Sequence, residues 1–248
     1  MNNAKLKTFW KSIKRLFMPA HADFGAVASQ HPARFTSQPF KKILPRIRPA
    51  KQDFFFLQIG SFDGVSGDPI AEYIREYQWK GILLEPQTEQ YQKLVAYYRD
   101  NSGLTILNRA LSDTEGQRRL YYVRTRGQNL PEWAAQLASF SKETILSHEA
   151  EIPEIADLIE SVEVSCITFQ GLIDQYGLTK IDLLHIDTEG YDFEIIKMIP
   201  WTKVHPAIIY YEHKHLSQKD RDACHLYLIN HGYRISVQFQ DTIGFLDG

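Results

Sequence analysis

The chain has 248 residues, 44% of them apolar and 12% aromatic, with 28 Lys/Arg against 30 Asp/Glu, a composition that supports one sizeable core and excludes disorder over most of the length. No uncharged apolar run approaches the ~20 residues of a bilayer crossing, which excludes a transmembrane span. Two cysteines 58 positions apart, Cys166 and Cys224, make neither a disulfide framework nor a paired zinc site, and this favours a reducing, cytoplasmic setting.

Residues 1–51 carry eleven Lys/Arg and one acid, leaving 17 Lys/Arg against 29 acids beyond them. An acidic body with a basic arm is expected. In the arm, Leu6, Phe9, Trp10, Ile13, Leu16 and Phe17 recur at helical spacing between Lys5, Lys7, Lys11, Lys14 and Arg15, which predicts a basic amphipathic helix over residues 4–17. Such a helix either packs on its own domain or docks peripherally on an anionic membrane, here the inner face, and the sequence leaves both readings open. The spread charges disfavour secretory cleavage. Five prolines between Met18 and Lys51 predict an extended lead-in without a core of its own, so the division is an arm, 1–51, and a domain, 52–248.

From Asp53 onward, short apolar strands alternate with amphipathic helices, the pattern of a mostly parallel α/β sheet covered on both faces. Strands are predicted at 54–59, 81–85, 104–108, 162–167, 181–186, 207–211, 233–239 and 242–246, the last two a closing antiparallel pair. Helices are predicted from the Asp68-Pro69 N-cap pair to about Tyr77, then at 88–99, 169–176, 193–199 and 218–230. An insertion over residues 118–160 interrupts the alternation, with a strand at 120–123 and helical stretches near Trp133 and Ile145.

Gln58-Ile59-Gly60-Ser61-Phe62-Asp63-Gly64, with Gly67, sits where the first strand turns into a helix, a place where a ligand approaches the backbone. Glu85, Asp187 and Glu212 each follow a buried apolar run, and in an open parallel sheet those carboxyl ends share one edge. A pyrophosphate is opposed by Asp63 and Asp68 in that loop. The spacing, G-x3-G-x2-G, is also not the dinucleotide fingerprint. S-adenosylmethionine instead brings a sulfonium, an ammonium and ribose hydroxyls, all of which carboxylates favour.

The stretches Phe56 to Gly64, Leu83-Leu84-Glu85-Pro86, Asn108 to Asp113, Ile186-Asp187-Thr188-Glu189-Gly190-Tyr191-Asp192 and Tyr211-Glu212-His213 together resemble the FkbM family of methyltransferases, over roughly residues 54–245. The resemblance implies a class I, Rossmann-like fold with a mostly parallel seven-stranded sheet, S-adenosylmethionine as methyl donor, and O-methylation of a sugar, glycan or natural-product hydroxyl. Gln58 stands where many class I methyltransferases carry an acid.

The donor-binding residues expected are Gln58, Gly60, Ser61, Asp63, Gly64, Glu85 (ribose), Asn108, Ala110 and Ser112 (the adenine loop), Ser139 in the insertion, and Asp187 facing the donor's positive charge. Asp187, Glu212 and His213 are the catalytic candidates, with His213 as general base because an imidazole takes a proton near neutral pH. His185 is expected in the core, and His215, His225 and His231 at the surface. Glu212, His213 and His215 with Asp187 can in principle hold a divalent metal, but with no paired-ligand motif none is assigned. The other functions in play are an RNA methyltransferase using the basic arm, which the acidic body opposes, and a non-catalytic donor-binding module.

Overall fold

A computed structural model describes residues 25–47 and 53–247; the amphipathic stretch at 4–17 lies outside them. Its strands are β1 (Phe35–Thr36), β2 (Phe55–Ile59), β3 (Lys80–Leu84), β4 (Leu104–Leu107), β5 (Ala110–Leu111), β6 (Gly116–Val123), β7 (Ala138–Ser139), β8 (Ile159–Ile167), β9 (Leu183–Ile186), β10 (Ile208–Glu212), β11 (Arg234–Val237) and β12 (Asp241–Phe245). The helices are α1 (Gly25–Gln30), α2 (Phe40–Ile47), α3 (Ala71–Tyr77), α4 (Thr88–Tyr97), α5 (Lys142–Leu146), α6 (Ile155–Leu158), α7 (Phe169–Tyr176), α8 (Asp192–Lys197) and α9 (Gln218–Asn230).

The main sheet runs β1-β11-β12-β10-β9-β2-β3-β4, parallel except for β12, which pairs antiparallel with β10 and β11. Seven of these strands are the expected class I, Rossmann-like arrangement, and β1 adds an eighth at the edge by pairing with β11. Strand parity sorts the core. Leu57, Ile59, Ile82, Leu84, Leu184, Ile186, Ile209 and Tyr211 enter one apolar cluster, while Phe56, Leu83, Leu183, Ile208 and Tyr210 enter the other. Burial on both faces is why these strands read as unbroken apolar runs. The helices begin where short polar side chains cap them: Thr168 Oγ1 accepts from Gly171 N at 2.9 Å ahead of α7, and Ser217 Oγ from Asp220 N at 3.1 Å ahead of α9.

Three expectations are corrected. Residues 25–47 are not an extended lead-in, because they form α1, β1 and α2 and bury Val27, Phe40, Ile43 and Leu44 in the domain's clusters. Pro32 opens a 3-10 turn and Pro39 precedes α2, its carbonyl accepting from Lys42 N, both places where helices tolerate proline, while Pro45 lies within α2. The stretch 162–167 belongs to a second sheet, β5-β8-β6-β7, in which β8 pairs antiparallel with β6 along eight positions. Four successive exposed residues at 160–163 show that both faces of β8 are open in its first half, unlike the buried run of β9. Finally, the helix after the glycine loop begins at Ala71, with Asp68 Oδ1 accepting from Ile70 N at 2.8 Å in the turn that leads into it.

The insertion carries its own apolar cluster of Val123, Ala134, Leu137, Ile145, Ile152, Ile155 and Leu158. It reaches the sheet's carboxyl edge through Ser139, whose Oγ donates to Glu189 O at 2.8 Å, and Gln136, whose Nε2 donates to Ser66 O at 3.4 Å.

Candidate active site

A cleft of about 880 Å³, its open mouth included, lies at the carboxyl ends of β2, β3 and β9 and is partly roofed by the insertion. The chain enters it at Gly60, whose φ is +79° and whose N donates to Leu84 O at 3.0 Å. A Cβ here would stand 1.7 Å from the carbonyl oxygen of Asp187. Only glycine lets the turn after β2 pass the end of β9.

Glu85 forms one wall and is only 3% exposed. Its Oε2 accepts from Phe62 N and its Oε1 from Gln87 N, both at 2.8 Å. Asn108 braces the same bend from behind, its Nδ2 donating to Glu85 O at 2.8 Å and Pro86 O at 3.0 Å. Burial outweighs the two amides and lifts the Glu85 carboxyl to about 7. Phe62 holds a left-handed φ of +45° that a bulky residue seldom adopts, and its amide bond to Glu85 is what that conformation secures. Each carboxylate oxygen keeps a lone pair free, an arrangement suited to two neighbouring hydroxyls.

The floor carries Gln58 and His185, which face each other across β2 and β9 on the same side of the sheet. Gln58 Nε2 donates to Asp68 Oδ2 at 3.0 Å, and Asp68 Oδ1 accepts from Ile70 N at 2.8 Å. An acid therefore reaches this corner from the loop, although the strand position itself is an amide. Burial raises the Asp68 carboxyl above its ordinary value. Gln58 Oε1 and Ser61 Oγ are buried with no hydrogen-bond partner. His185 packs edge-on against Tyr210 at 5.3 Å, and burial holds its imidazole neutral, down at about 3.

The opposite wall is the Asp187-Thr188-Glu189-Gly190-Tyr191-Asp192 turn. Glu189 (φ +50°) and Gly190 (φ +94°) are both left-handed. Fully buried Asp192 fixes them by accepting from Thr188 Oγ1 at 3.0 Å and Gly190 N at 3.3 Å, while Ser139 binds the Glu189 carbonyl. Carboxylate oxygens of Asp187, Glu189 and Glu212 lie within 4.8 Å of one another. Burial, then the Glu189 charge, holds the Asp187 carboxyl far above the usual range, and burial with the Asp187 charge lifts Glu212 to about 10. Such a wall calls for positive charge.

Of the residues expected at the site, Gln58, Gly60, Ser61, Glu85, Ala110, Ser139 and Asp187 line the cleft. Asp63, Gly64, Asn108, Ser112, Glu212 and His213 do not. Asp63 closes its own loop, accepting from Val65 N, Ser66 N and Ser66 Oγ. Gly64 packs under Leu94 and Tyr98. Ser112 accepts from Arg118 Nη1 at 2.6 Å, and that guanidinium lies 4.2 Å over the Phe140 ring. Glu212 stands behind the cleft, beside Asp187.

His213 is corrected: strand parity turns it with Tyr211, away from Glu212. Its Nδ1 lies 2.9 Å from Thr242 Oγ1, and burial lowers it to about 4. No general-base role fits that place. His185 is at the cleft floor rather than wholly in the core, while His215 and His225 are buried, not at the surface. Asp68, Phe62, Thr188, Glu189, Arg109 and Tyr191 line the cleft without having been assigned to it; only the Asp68 and Glu189 carboxyl groups offered a chemical signal.

The model of the methyltransferase FkbM domain matches residues 58–235. The chain belongs to the FkbM methyltransferase family. It is a methyltransferase that uses S-adenosylmethionine, and the braced Glu85 carboxylate and the unpartnered Gln58 Oε1 and Ser61 Oγ fit that donor. Among solved structures, the FkbM methyltransferase of Methylobacillus flagellatus shares 13% identity over 84% of this chain and 48% of its own length, with a TM-score of 0.48. The chain thus spans about half of that relative. Aeropyrum pernix fibrillarin with natively bound S-adenosyl-L-methionine shares 10% identity, 79% and 67% coverage and a TM-score of 0.42. Geobacter metallireducens precorrin-6y C5,15-methyltransferase shares 12%, 83% and 80%, with a TM-score of 0.40. No curated protein matches the chain. Among the described residues no helix is long and apolar enough to cross a membrane.

Proposed function

We propose that this FkbM-family enzyme methylates a hydroxyl oxygen of a sugar, glycan or natural product. The bound donor supplies an electrophilic methyl on a cationic sulfur. Glu85 accepts the two ribose hydroxyls, Asp68 and Asp187 meet the positive charge of the amino acid and sulfonium portion, and the loop at Ala110 flanks the base. Leu120, Phe140 and Tyr191 form an apolar side of the same cleft, where an acceptor can lie against rings while its hydroxyl points to the acids. The hydroxyl loses its proton on the side of the cleft lined by Asp187 and Glu189. Alignment in a water-poor site provides most of the acceleration, with proton removal adding on the order of 10²–10⁴.

The observation that carries this reading is the opposition, across one cleft, of the braced hydroxyl-accepting acid Glu85 and the acids Asp187 and Glu189, with Glu212 beside Asp187. Its test is transfer of an isotopically labelled methyl from the donor to fractionated glycans, lipids, small alcohols and RNA, with the methylated atom located by mass spectrometry. Label on a hydroxyl oxygen of a glycan or small molecule supports it. Label on nitrogen, on RNA, or on nothing overturns it.

A further inference from the structure

Beside Asp187, four polar side chains converge from three parts of the chain. His215 follows β10, Glu212 ends it, Glu189 comes from the left-handed turn, and His148 arrives from the insertion. His215 Nε2 lies 2.7 Å from Glu189 Oε2 and 3.5 Å from Glu212 Oε2. His148 offers a ring nitrogen within 4.8 Å of a Glu189 carboxylate oxygen and a His215 ring nitrogen, and its ring stands 5.1 Å from that of His215.

All are deeply placed. The side chains of His215 and His148 are 6% and 8% exposed, and those of Glu189 and Glu212 are 14% and 13% exposed. Despite these distances, His215 Nε2, Glu189 Oε2, Glu212 Oε2 and His148 Nε2 make no hydrogen bond at all. The His215–Glu189 contact is an ion pair only when the imidazole is protonated, and without hydrogen-bond geometry it leaves deeply placed polar atoms unsatisfied, which proteins seldom tolerate. Lys214, whose charge acts on Glu212, lies over the Trp133 ring, 5.9 Å from its centre.

We propose that this cluster is a divalent-cation site, with Glu189, Glu212 and His215 as its ligands and Asp187 and His148 completing the shell. Neighbouring donor atoms on a cation bound at ~2.1–2.3 Å stand ~3.0–3.7 Å apart, so the His215–Glu212 pair at 3.5 Å already has that spacing and the His215–Glu189 pair at 2.7 Å has to open by a few tenths of an ångström. Mixed imidazole and carboxylate donors suit Mn²⁺, Fe²⁺, Co²⁺ or Zn²⁺ better than Ca²⁺ or Mg²⁺. One dication also offsets two of the three carboxylate charges that Asp187, Glu189 and Glu212 can bring to one place. Asp187 and Glu189 line the donor cleft, so the cation has an open side facing the acceptor.

The cation's role rests on the proposed O-methylation: it holds the acceptor oxygen and acidifies its O–H. As the O–C bond forms, the C–S bond of the donor breaks. The hydroxyl proton passes to water, and neutral S-adenosylhomocysteine leaves.

The test uses the full chain, stripped with a chelator, titrated with Mn²⁺ and followed by the loss of the free-ion electron-spin signal. One equivalent binds. Glu189→Gln and His215→Gln each weaken binding by at least ~30-fold, while in His215→Gln, whose side chain does not line the donor cleft, the donor affinity measured by calorimetry without metal stays within ~3-fold and the thermal melt remains cooperative. If neither Mn²⁺ nor Zn²⁺ binds at about 1 mM, or both variants bind as the parent does, the site is an ion pair and the inference fails. Metal binding with label on nitrogen would overturn the hydroxyl reading alone, and hydroxyl labelling without metal binding would overturn the cation alone.

Discussion

The two walls of the cleft use the same side chain in opposite ways. Glu85 stands alone, each of its oxygens fixed by one backbone amide, so it is oriented before anything binds and has lone pairs to offer. Across the cleft, Asp187, Glu189 and Glu212 crowd one another with few donors to quiet them. The first wall is built to accept hydroxyl groups, and the second to receive positive charge. Methyl transfer from a sulfonium needs both, a few ångströms apart, and the carboxyl edge of a parallel sheet brings them together because consecutive strand ends share it.

Breaking the apposition of the walls should have the largest effect. Gly60→Ala places a Cβ 1.7 Å from the Asp187 carbonyl at a left-handed φ, and urea unfolding should show a loss of at least about 4 kcal/mol. A loss below about 1 kcal/mol would mean that β2 and β9 are not held that closely.

The Glu85 wall can be sharpened by pH. Its folded value, about 7, lies above the ordinary 4.5, so the protonated acid is favoured in the fold. Its contribution to stability is full below 4.5 and is lost as pH rises through 7, by about 3 kcal/mol at most in the donor-free protein. Donor binding needs the ionised form, so affinity should be level above pH 8 and fall roughly tenfold per unit below 7. Glu85→Gln should flatten both curves, and an unchanged pH profile in that variant would assign the titration to another group.

The smallest effect is expected at His213, which belongs to neither wall. His213→Gln should leave turnover within about 3-fold while costing roughly 1–2 kcal/mol through the Thr242 contact. Its folded value, about 4 against an ordinary 6.5, means that stability is present above 6.5 and lost as pH falls toward 4, the reverse of Glu85. A collapse of turnover without loss of fold would restore it as a catalytic candidate.

Much of the donor wall was legible in the sequence, because the glycine loop and Glu85 each follow a strand that buries both faces and so reads as an unbroken apolar run. The helices at 169–176 and 218–230 carry their own caps, and their limits were read to the residue. The second sheet was not legible. A strand such as β8 declares its length and not its partners, and only the pairing with β6 removes it from the main sheet. Strand parity decided His213 and Glu212, and a one-residue uncertainty in where β10 ends reverses which of them faces the acids. His148 could not be foreseen: it lies in the insertion, 41 positions before Glu189, and spacing carries no code for that contact.

The most direct measurement is calorimetric titration of S-adenosylmethionine into the parent protein and Glu85→Ala, each first shown to unfold cooperatively. The parent should bind one equivalent, and Glu85→Ala should bind at least ~100-fold more weakly, the effect of losing two charge-assisted hydrogen bonds at ~1.5 kcal/mol or more apiece. Equal affinity in a folded Glu85→Ala would contradict the placement of the donor against this wall, and with it the assignment of the two sides of the cleft.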